Sequence, residues 1–374
     1  MQKILTGGVD ITKKEMFYIA DAVANGWDFN HDYYKVKFEK EFARYVGVKY
    51  AYAVTGGTQA LWLSLKALGI GYGDEVIIPE LTYFACSDVV KLVDANPIFV
   101  DIDPISWCIN PNKIEQAITS KTKAIMPVYS YGSSPDMDKI MAIAKKHKLH
   151  VIEDACPAVG TLYKGKHAGT FGNTGCFSFH GAKIMTTGFG GMVVTDDKRL
   201  YDYIVFLDDH GGNKGLDIRF WQEEVGFSFY LHNINAALGL AQLERIEEFV
   251  AKKNKIFSWY RKYLKDDRLE LTHKQKDVRS NCWLFSIILK NTEIDRDRLI
   301  EKLKEEGIDT RPFFYPLSFM PLYRKRRISP EDGTELNIAP VADEICLNGI
   351  NLPTGVQRTE EEIKFICDTI KKLI

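Results

Sequence analysis

Short apolar runs alternate with segments of helical periodicity along the N-terminal part of the chain. Each run is short enough for a buried strand, and the segments between repeat their apolar positions with the period of a helix. The predicted strands are 50–54, 75–79, 97–101, 124–128 and 150–154, and the predicted helices between them are 59–65, 84–94, 111–118 and 136–147. This order predicts an α/β fold, in which helices cover both faces of a mostly parallel sheet.

Helical patterns also flank this region. Two precede the first strand, and Thr12 followed by Glu15 predicts a capping box at the start of the pattern over 10–25. A long helix is predicted from 231 to about 264, where it would connect a large domain to a smaller one. The predicted domains are a large one of residues 1–245 and a smaller C-terminal α+β domain of residues 246–374.

Charge and apolar patterning exclude several classes of protein. The chain has 374 residues and a formal net charge of −1, and its densest basic cluster is the short run 324–327. We therefore expect neither nucleic acid nor a membrane surface as a partner. No apolar run is long enough to span a bilayer, and the N-terminus lacks the apolar core of a signal peptide. A cytoplasmic protein is expected.

The number and spacing of the cysteines also favour a cytoplasmic protein. They are odd in number, scattered, and without a C-x-x-C pair, which argues against a disulfide framework and against a structural zinc site. We expect a reducing environment and no metal. The seven cysteines are Cys86, Cys108, Cys156, Cys176, Cys282, Cys346 and Cys367.

Polar and aromatic side chains follow three of the predicted strands. Thr82-Tyr83, Ser130-Tyr131 and Asp154 come at or just past strand ends, so they should face one crevice at the edge of the sheet. Asp154 either caps a following helix or, as a buried carboxylate, holds a proton on a heteroaromatic nitrogen. Tyr83 either packs in the core or stacks on a flat ring.

A glycine pair precedes the first helix of the sheet region. Thr55-Gly56-Gly57-Thr58 lies between a strand and a helix, where free backbone N–H groups and the helix dipole favour an anion. Turns of this composition are also common without a ligand, and the motif alone does not decide between the two interpretations.

The stretch 175–191 carries one lysine in an apolar setting. Lys183 lies among Ala, Ile and Met, between a predicted strand and a glycine-rich turn. Burial of an amine lowers its pKa and makes it nucleophilic, so that it can form a Schiff base with an aldehyde cofactor. The alternative is a surface lysine on a loop. The local pattern does not distinguish the two interpretations, and the other motifs of the chain are needed to do so.

Taken together, these segments resemble the DegT/DnrJ-type sugar aminotransferases, a group of fold-type I pyridoxal-phosphate (PLP) enzymes. The likeness runs over nearly the whole chain, and within the family it is greatest to the GDP-perosamine synthase group, through 179–181, 307–318 and 349–353. The matching motifs are Gly57-Thr58, Gly73-Asp74-Glu75-Val76-Ile77, Val100-Asp101-Ile102-Asp103-Pro104, Tyr131-Gly132, Ile152-Glu153-Asp154-Ala155, Cys176-Phe177-Ser178-Phe179 with Lys183, and Asn233 to Arg245.

The resemblance implies a role for each matching residue. Lys183 would be the Schiff-base lysine and the base that moves a proton, and Asp154 would keep the ring nitrogen of PLP protonated. Tyr83 would stack on the ring. The cofactor phosphate would be held by the Gly57 and Thr58 amides, by the Ser178 hydroxyl, and by Ser228 from the neighbouring subunit.

Four positions depart from the family pattern. Pro157 replaces a polar residue, Phe189 replaces a Glu, Ser228 replaces the Asn that reaches the phosphate across the subunit boundary, and Tyr230 replaces an Arg. None of them removes the lysine chemistry. All lie where contacts to substrate or subunit are expected, so they bear on the identity of the sugar.

The resemblance implies an aminotransferase that moves an amino group from L-glutamate to a keto sugar. A nucleotide-linked 4-keto-6-deoxy hexose is expected, in cell-surface sugar (lipopolysaccharide) biosynthesis, by a homodimer with its active sites at the subunit interface. The alternatives are a keto sugar without a nucleotide, a PLP-dependent sugar dehydratase and a ligand-sensing relative. In the dehydratases a histidine replaces the lysine, so Lys183 disfavours that alternative.

Overall fold

The computed structural model of the chain describes residues 3–212, 218, 220–327 and 336–374. Its helices are α1 (Lys13–Asn25), α2 (Tyr33–Val46), α3 (Gly57–Ala67), α4 (Ala85–Leu92), α5 (Met137–His147), α6 (Lys198–Asp208), α7 (Asn233–Leu243), α8 (Ile246–Tyr263), α9 (Arg296–Glu305), α10 (Pro340–Asn348) and α11 (Glu360–Leu373). Its strands are β1 (Tyr50–Val54), β2 (Glu75–Pro79), β3 (Asn96–Val100), β4 (Thr122–Ile125), β5 (His150–Asp154), β6 (Leu162–Tyr163), β7 (Lys166–His167), β8 (Thr174–Ser178), β9 (Gly191–Thr195), β10 (Leu269–Leu271), β11 (Val278–Arg279), β12 (Phe285–Leu289), β13 (Arg311–Pro312) and β14 (Gly349–Leu352).

The central sheet has seven strands in the order β1-β9-β8-β5-β4-β2-β3. β2, β3, β4, β5 and β8 run parallel, and β9 is antiparallel to both of its neighbours. Successive strand residues face opposite sides of the sheet: Ala51 and Ala53 lie in one buried cluster, whereas Tyr52 and Val54 lie in another. Helices cover both faces, so the predicted α/β fold with a mostly parallel sheet is confirmed.

A second sheet, β10-β12-β14-β13, is antiparallel and lies in the C-terminal part. With α8, α9 and α11 it encloses a separate buried cluster. Ile4 belongs to this cluster and forms a parallel bridge with Ile308, so the N-terminal segment packs on the C-terminal part. The division of the chain into domains of 1–245 and 246–374 stays a prediction.

The prediction of one continuous helix from 231 to about 264 is wrong. Two helices occupy this region, α7 and α8, and Arg245 between them leaves helical geometry with φ −114° and ψ 3°. Its guanidinium binds Asp10 at 2.6 Å and Glu15 at 2.8 Å. We attribute the break to these contacts with the N-terminal segment, which no periodicity within 231–264 reports.

Other local predictions had mixed outcomes. The capping box of Thr12 and Glu15 is present at the start of α1, as predicted. The helix predicted over 111–118 is wrong: two single turns of 3₁₀ helix, Pro111–Lys113 and Glu115–Ala117, take its place. Within the described residues, no helix is long and apolar enough to cross a membrane.

Candidate active site

A cavity of about 340 Å³ lies where the C-terminal ends of the parallel strands meet segments of the C-terminal part. The predicted crevice residues Thr82, Tyr83, Ser130, Tyr131 and Asp154 all line it. Parallel strands bring their carboxyl ends to one edge of a sheet, which explains why segments far apart in sequence meet here.

The N-terminus of α3 forms one wall of this cavity. Gly57 and Thr58 line it, and the preceding residue, Gly56, makes no side-chain capping bond. The first N–H groups of a helix have no partner inside the helix and therefore favour an anion. A Cβ on Gly57 would lie 2.6 Å from Cys156 Sγ and 3.0 Å from Ser178 Cβ, so only glycine permits this approach. Ser178, at the end of β8, lines the same wall.

Asp154 ends β5 and is 6% exposed. Its Oδ1 accepts a hydrogen bond from the Cys156 backbone N–H at 3.0 Å, and its Oδ2 accepts one from the Cys86 thiol at 3.0 Å. The next helix after β5 is α6, which begins at Lys198. Asp154 therefore does not cap a helix, and its carboxylate is a buried, fixed group in the cavity wall.

Tyr83 is 49% exposed, unlike a residue that packs in the core. Its ring centroid lies 4.1 Å from that of Phe84 and 5.9 Å from that of Phe314. Tyr83 lines the cavity, where an aromatic ring can stack on a flat ligand.

Lys183 follows β8 and points its amine into the same cavity. The Nζ atom lies 4.0 Å from the ring centroid of Trp283, and the indole N–H of Trp283 donates to the backbone carbonyl of Ala182 at 2.8 Å. Burial lowers the pKa of Lys183; Cys156, Asp154 and Cys86 oppose this shift, whereas the positive charge of Arg311 adds to it. A lysine with a lowered pKa is more often neutral and nucleophilic at neutral pH.

A compact loop holds Lys183 in place. The Phe179 N–H donates to the Gly190 carbonyl at 2.8 Å, and the Thr187 N–H donates to the Phe179 carbonyl at 3.0 Å. Gly188 has φ +82°, a backbone conformation that favours glycine. The glycine-rich turn predicted after the lysine therefore closes this loop.

Several cavity residues come from the C-terminal part, and the sequence interpretation assigned them no role. They include Trp283, Arg311, Phe314 and Asn351. Arg311 and Asn351 fall in motifs that carry the family resemblance, which was the signal available for them. Nothing local in the sequence marked Trp283.

Two of the four departures from the family pattern lie at the cavity. Pro157 and Phe189 line it, and the Phe189 ring meets the His180 ring edge-on at 5.1 Å between centroids. Ser228 and Tyr230 are exposed and do not line it. Ser228 lies just before Phe229, whose carbonyl accepts a hydrogen bond from the Thr55 N–H at 2.6 Å. The cross-subunit contact of Ser228 stays a prediction.

Comparison with known proteins identifies the family. The sequence model of the DegT/DnrJ/EryC1/StrS aminotransferase family matches residues 9–371. The chain belongs to this family. It is 41% identical over 365 residues to the GDP-perosamine synthase of Escherichia coli O157:H7, covering 97% of this chain and 96% of the relative.

Solved structures agree with this assignment. The fold is similar to that of the putative sugar aminotransferase Spr1654 from Streptococcus pneumoniae in its PMP form, with a TM-score of 0.91, 26% identity, and coverage of 99% of this chain and 97% of that one. It is also similar to DesI, solved in the presence of its TDP-sugar product, with a TM-score of 0.89, 27% identity, and coverage of 100% and 93%. The predicted fold class, the enzyme class of PLP-dependent sugar aminotransferase and the PLP cofactor are thereby confirmed.

The cavity fits this cofactor. An uncapped helix N-terminus suits a phosphate, a lysine with a lowered pKa suits an aldehyde, and a buried carboxylate suits a ring nitrogen. Gly57, Lys183 and Asp154 place these three groups on the walls of one cavity.

Proposed function

We propose that this aminotransferase moves the amino group of L-glutamate to a nucleotide-linked 4-keto-6-deoxy hexose. The observation that carries the reaction is the meeting of Lys183 and Asp154 in one cavity with the free N-terminus of α3. The support for the sugar is the similarity to GDP-perosamine synthase, whose named product is a nucleotide-linked amino sugar.

Within this proposal each residue of the candidate site has a role. The Gly57 and Thr58 N–H groups and the Ser178 hydroxyl hold the cofactor phosphate, and Tyr83 covers one face of the ring. PLP supplies an aldehyde that takes the amino group and a ring that accepts electrons from the reacting carbon. Asp154 would keep the ring nitrogen protonated, and Lys183 Nζ would move a proton between the reacting carbon of the substrate and the cofactor carbon that carries the amino group.

Arg311 supports the choice of anionic substrates. It lines the cavity, and within the described parts of the chain its guanidinium makes no hydrogen bond or ion pair. A guanidinium without a partner suits a carboxylate or a phosphate, and glutamate and a sugar nucleotide each carry one. We expect Arg311→Gln to raise KM for one of the two substrates. Lys325 is an exposed cation that does not line the cavity, so Lys325→Gln should change KM for neither substrate.

The exposed aromatic surface and the free cysteines bear on the assembly of the enzyme and on its cellular compartment. We propose that Ser228 reaches the cofactor phosphate of the partner in a homodimer, as the family resemblance implies. Large aromatic side chains that remain exposed on the single chain also support association of two chains. These include Phe29, Phe189, Phe220 and Trp221. We propose a cytoplasmic enzyme of cell-surface sugar (lipopolysaccharide) biosynthesis, and its seven free cysteines suit a reducing compartment.

One assay tests the function. Purified enzyme is incubated with L-glutamate and a GDP-linked 4-keto-6-deoxy hexose, the TDP-linked equivalent or the free keto sugar, and the amino sugar and 2-oxoglutarate are measured by mass spectrometry. We expect the highest kcat/KM with one nucleotide-linked sugar. Equal or greater kcat/KM with the free sugar would contradict the nucleotide requirement. Borohydride should in addition fix the cofactor covalently to Lys183.

A further inference from the structure

A thiol contacts the carboxylate that the proposed function places at the cofactor nitrogen. Cys86 Sγ donates to Asp154 Oδ2 at 3.0 Å, and Cys86 is fully buried. Thr82 Oγ1 lies 3.6 Å from the same sulfur. The contact joins α4 to the end of β5, two elements that are distant in sequence.

The thiol is the donor in this contact. Burial raises the pKa of Cys86 well above its usual value, and the negative charge of Asp154 raises it further. The sulfur therefore keeps its proton at neutral pH. Since Cys86 lies in the first turn of α4, three residues after Tyr83, one turn of chain supplies both the aromatic ring and the thiol.

We propose that Cys86 is a positioning residue that orients the Asp154 carboxylate and, as a weak donor, leaves it basic. This inference rests on the proposed role of Asp154. A carboxylate oxygen accepts more than one hydrogen bond, so Oδ2 keeps acceptor capacity for the cofactor while the thiol fixes its orientation. A stronger donor at this place would stabilise the charged carboxylate and lower its affinity for the shared proton.

The groups that interact electrostatically with Asp154 come from several elements. They are Cys86 on α4, Cys156 after β5, Cys176 on β8 and Lys183 on the loop after β8. Burial raises the pKa of all three thiols, and Lys183 is the one cation of this set. The pH profile of a Cys86 variant therefore has to be compared with the pH profile of Cys108→Ala, which removes a thiol outside this set.

The first test does not depend on catalysis. The S–H stretch of cysteine absorbs in an infrared window free of other protein bands, and a hydrogen bond to a carboxylate lowers its frequency. We expect the lowest-frequency S–H band of the chain to disappear in Cys86→Ala and to move to higher frequency in Asp154→Asn. Cys108→Ala is the matched control, because this buried thiol contacts the Ser106 carbonyl instead. An S–H band that Asp154→Asn leaves in place would overturn the contact.

The second test uses the enzyme loaded with PLP. We expect Cys86→Ala to lower kcat by about tenfold, which corresponds to about 1.4 kcal/mol and is of the order of one lost hydrogen bond to a charged group. Cys86→Ser should recover most of this loss because the hydroxyl also donates to Asp154. As a stronger donor, it should still displace the pH midpoint of the cofactor absorbance from that of the parent.

The outcomes separate the two proposals. Equal kcat and equal absorbance titrations in Cys86→Ala and Cys108→Ala would refute the role of Cys86, even if Asp154→Asn is inactive. Near-normal activity of Asp154→Asn would instead refute the role of Asp154. A lower melting temperature of Cys86→Ala with unchanged kcat and absorbance would reduce Cys86 to a packing residue and also refute the inference.

Discussion

Lys253 on α8 is a buried amine whose replacement should change how stability depends on pH. It is 5% exposed, and its Nζ donates to the Trp283 carbonyl at 2.9 Å and to Thr354 Oγ1 at 3.2 Å. Burial lowers the pKa of Lys253 from 10.5 to about 7. Because the ring of Trp283 lies over the amine of Lys183, this contact also supports the active site.

The direction in which stability changes with pH follows from the pKa of Lys253 in the folded chain and in the unfolded chain. Below about pH 7 the amine is protonated in both states, and the folded chain bears the full cost of a buried charge. Between about pH 7 and the unfolded pKa, the unfolded chain binds the proton and the folded chain does not, so stability rises with pH. Between pH 7 and pH 9 this group contributes a rise of about 3 kcal/mol at most.

The variant Lys253→Met keeps the length of the side chain and removes the titration. It also removes two hydrogen bonds, at about 0.5–1.5 kcal/mol each. We expect the melting temperature of the variant, relative to the parent, to fall steadily between about pH 7 and about pH 9. Lys255→Met, which removes an exposed lysine of the same helix, should show no such trend. A relative melting temperature of Lys253→Met that stays constant over this range would refute the buried, uncharged amine.

Three further predictions concern the proposed cofactor contacts. Lys183→Ala should still bind PLP without a covalent bond, and turnover above about a thousandth of wild type would contradict its role as base and nucleophile. Asp154→Asn should keep the fold, checked by circular dichroism, and lose most activity, because an amide cannot hold the charge of the ring nitrogen; near-normal rates would contradict this. Ser228→Ala should weaken PLP retention by one hydrogen bond to a charged group, about 1.5–3 kcal/mol at most, and leave the dimer intact in size-exclusion chromatography with light scattering. A monomer that retains PLP fully would show that Ser228 makes no cross-subunit contact.

The sequence alone determined those features that depend on short stretches of chain. Thr12 and Glu15 cap a helix through groups three residues apart. Each of the five predicted apolar runs overlaps a strand of the central sheet, and because parallel strands end at one edge of the sheet, the sequence alone places Tyr83 and Asp154 in one crevice. Lys183 was recognised from its apolar neighbours and from the ordered motifs of its family.

The tertiary structure decided the features that depend on contacts between distant segments. Arg245 breaks the predicted long helix because its partners Asp10 and Glu15 lie in the N-terminal segment. Trp283 reaches Lys183 across about a hundred residues of chain. The Cys86 thiol faces Asp154 only because the packing of α4 against β2 and β3 brings two segments that are distant in sequence together. Such pairings carry no local pattern, since each is set by how whole helices and sheets pack rather than by the residues adjacent in sequence.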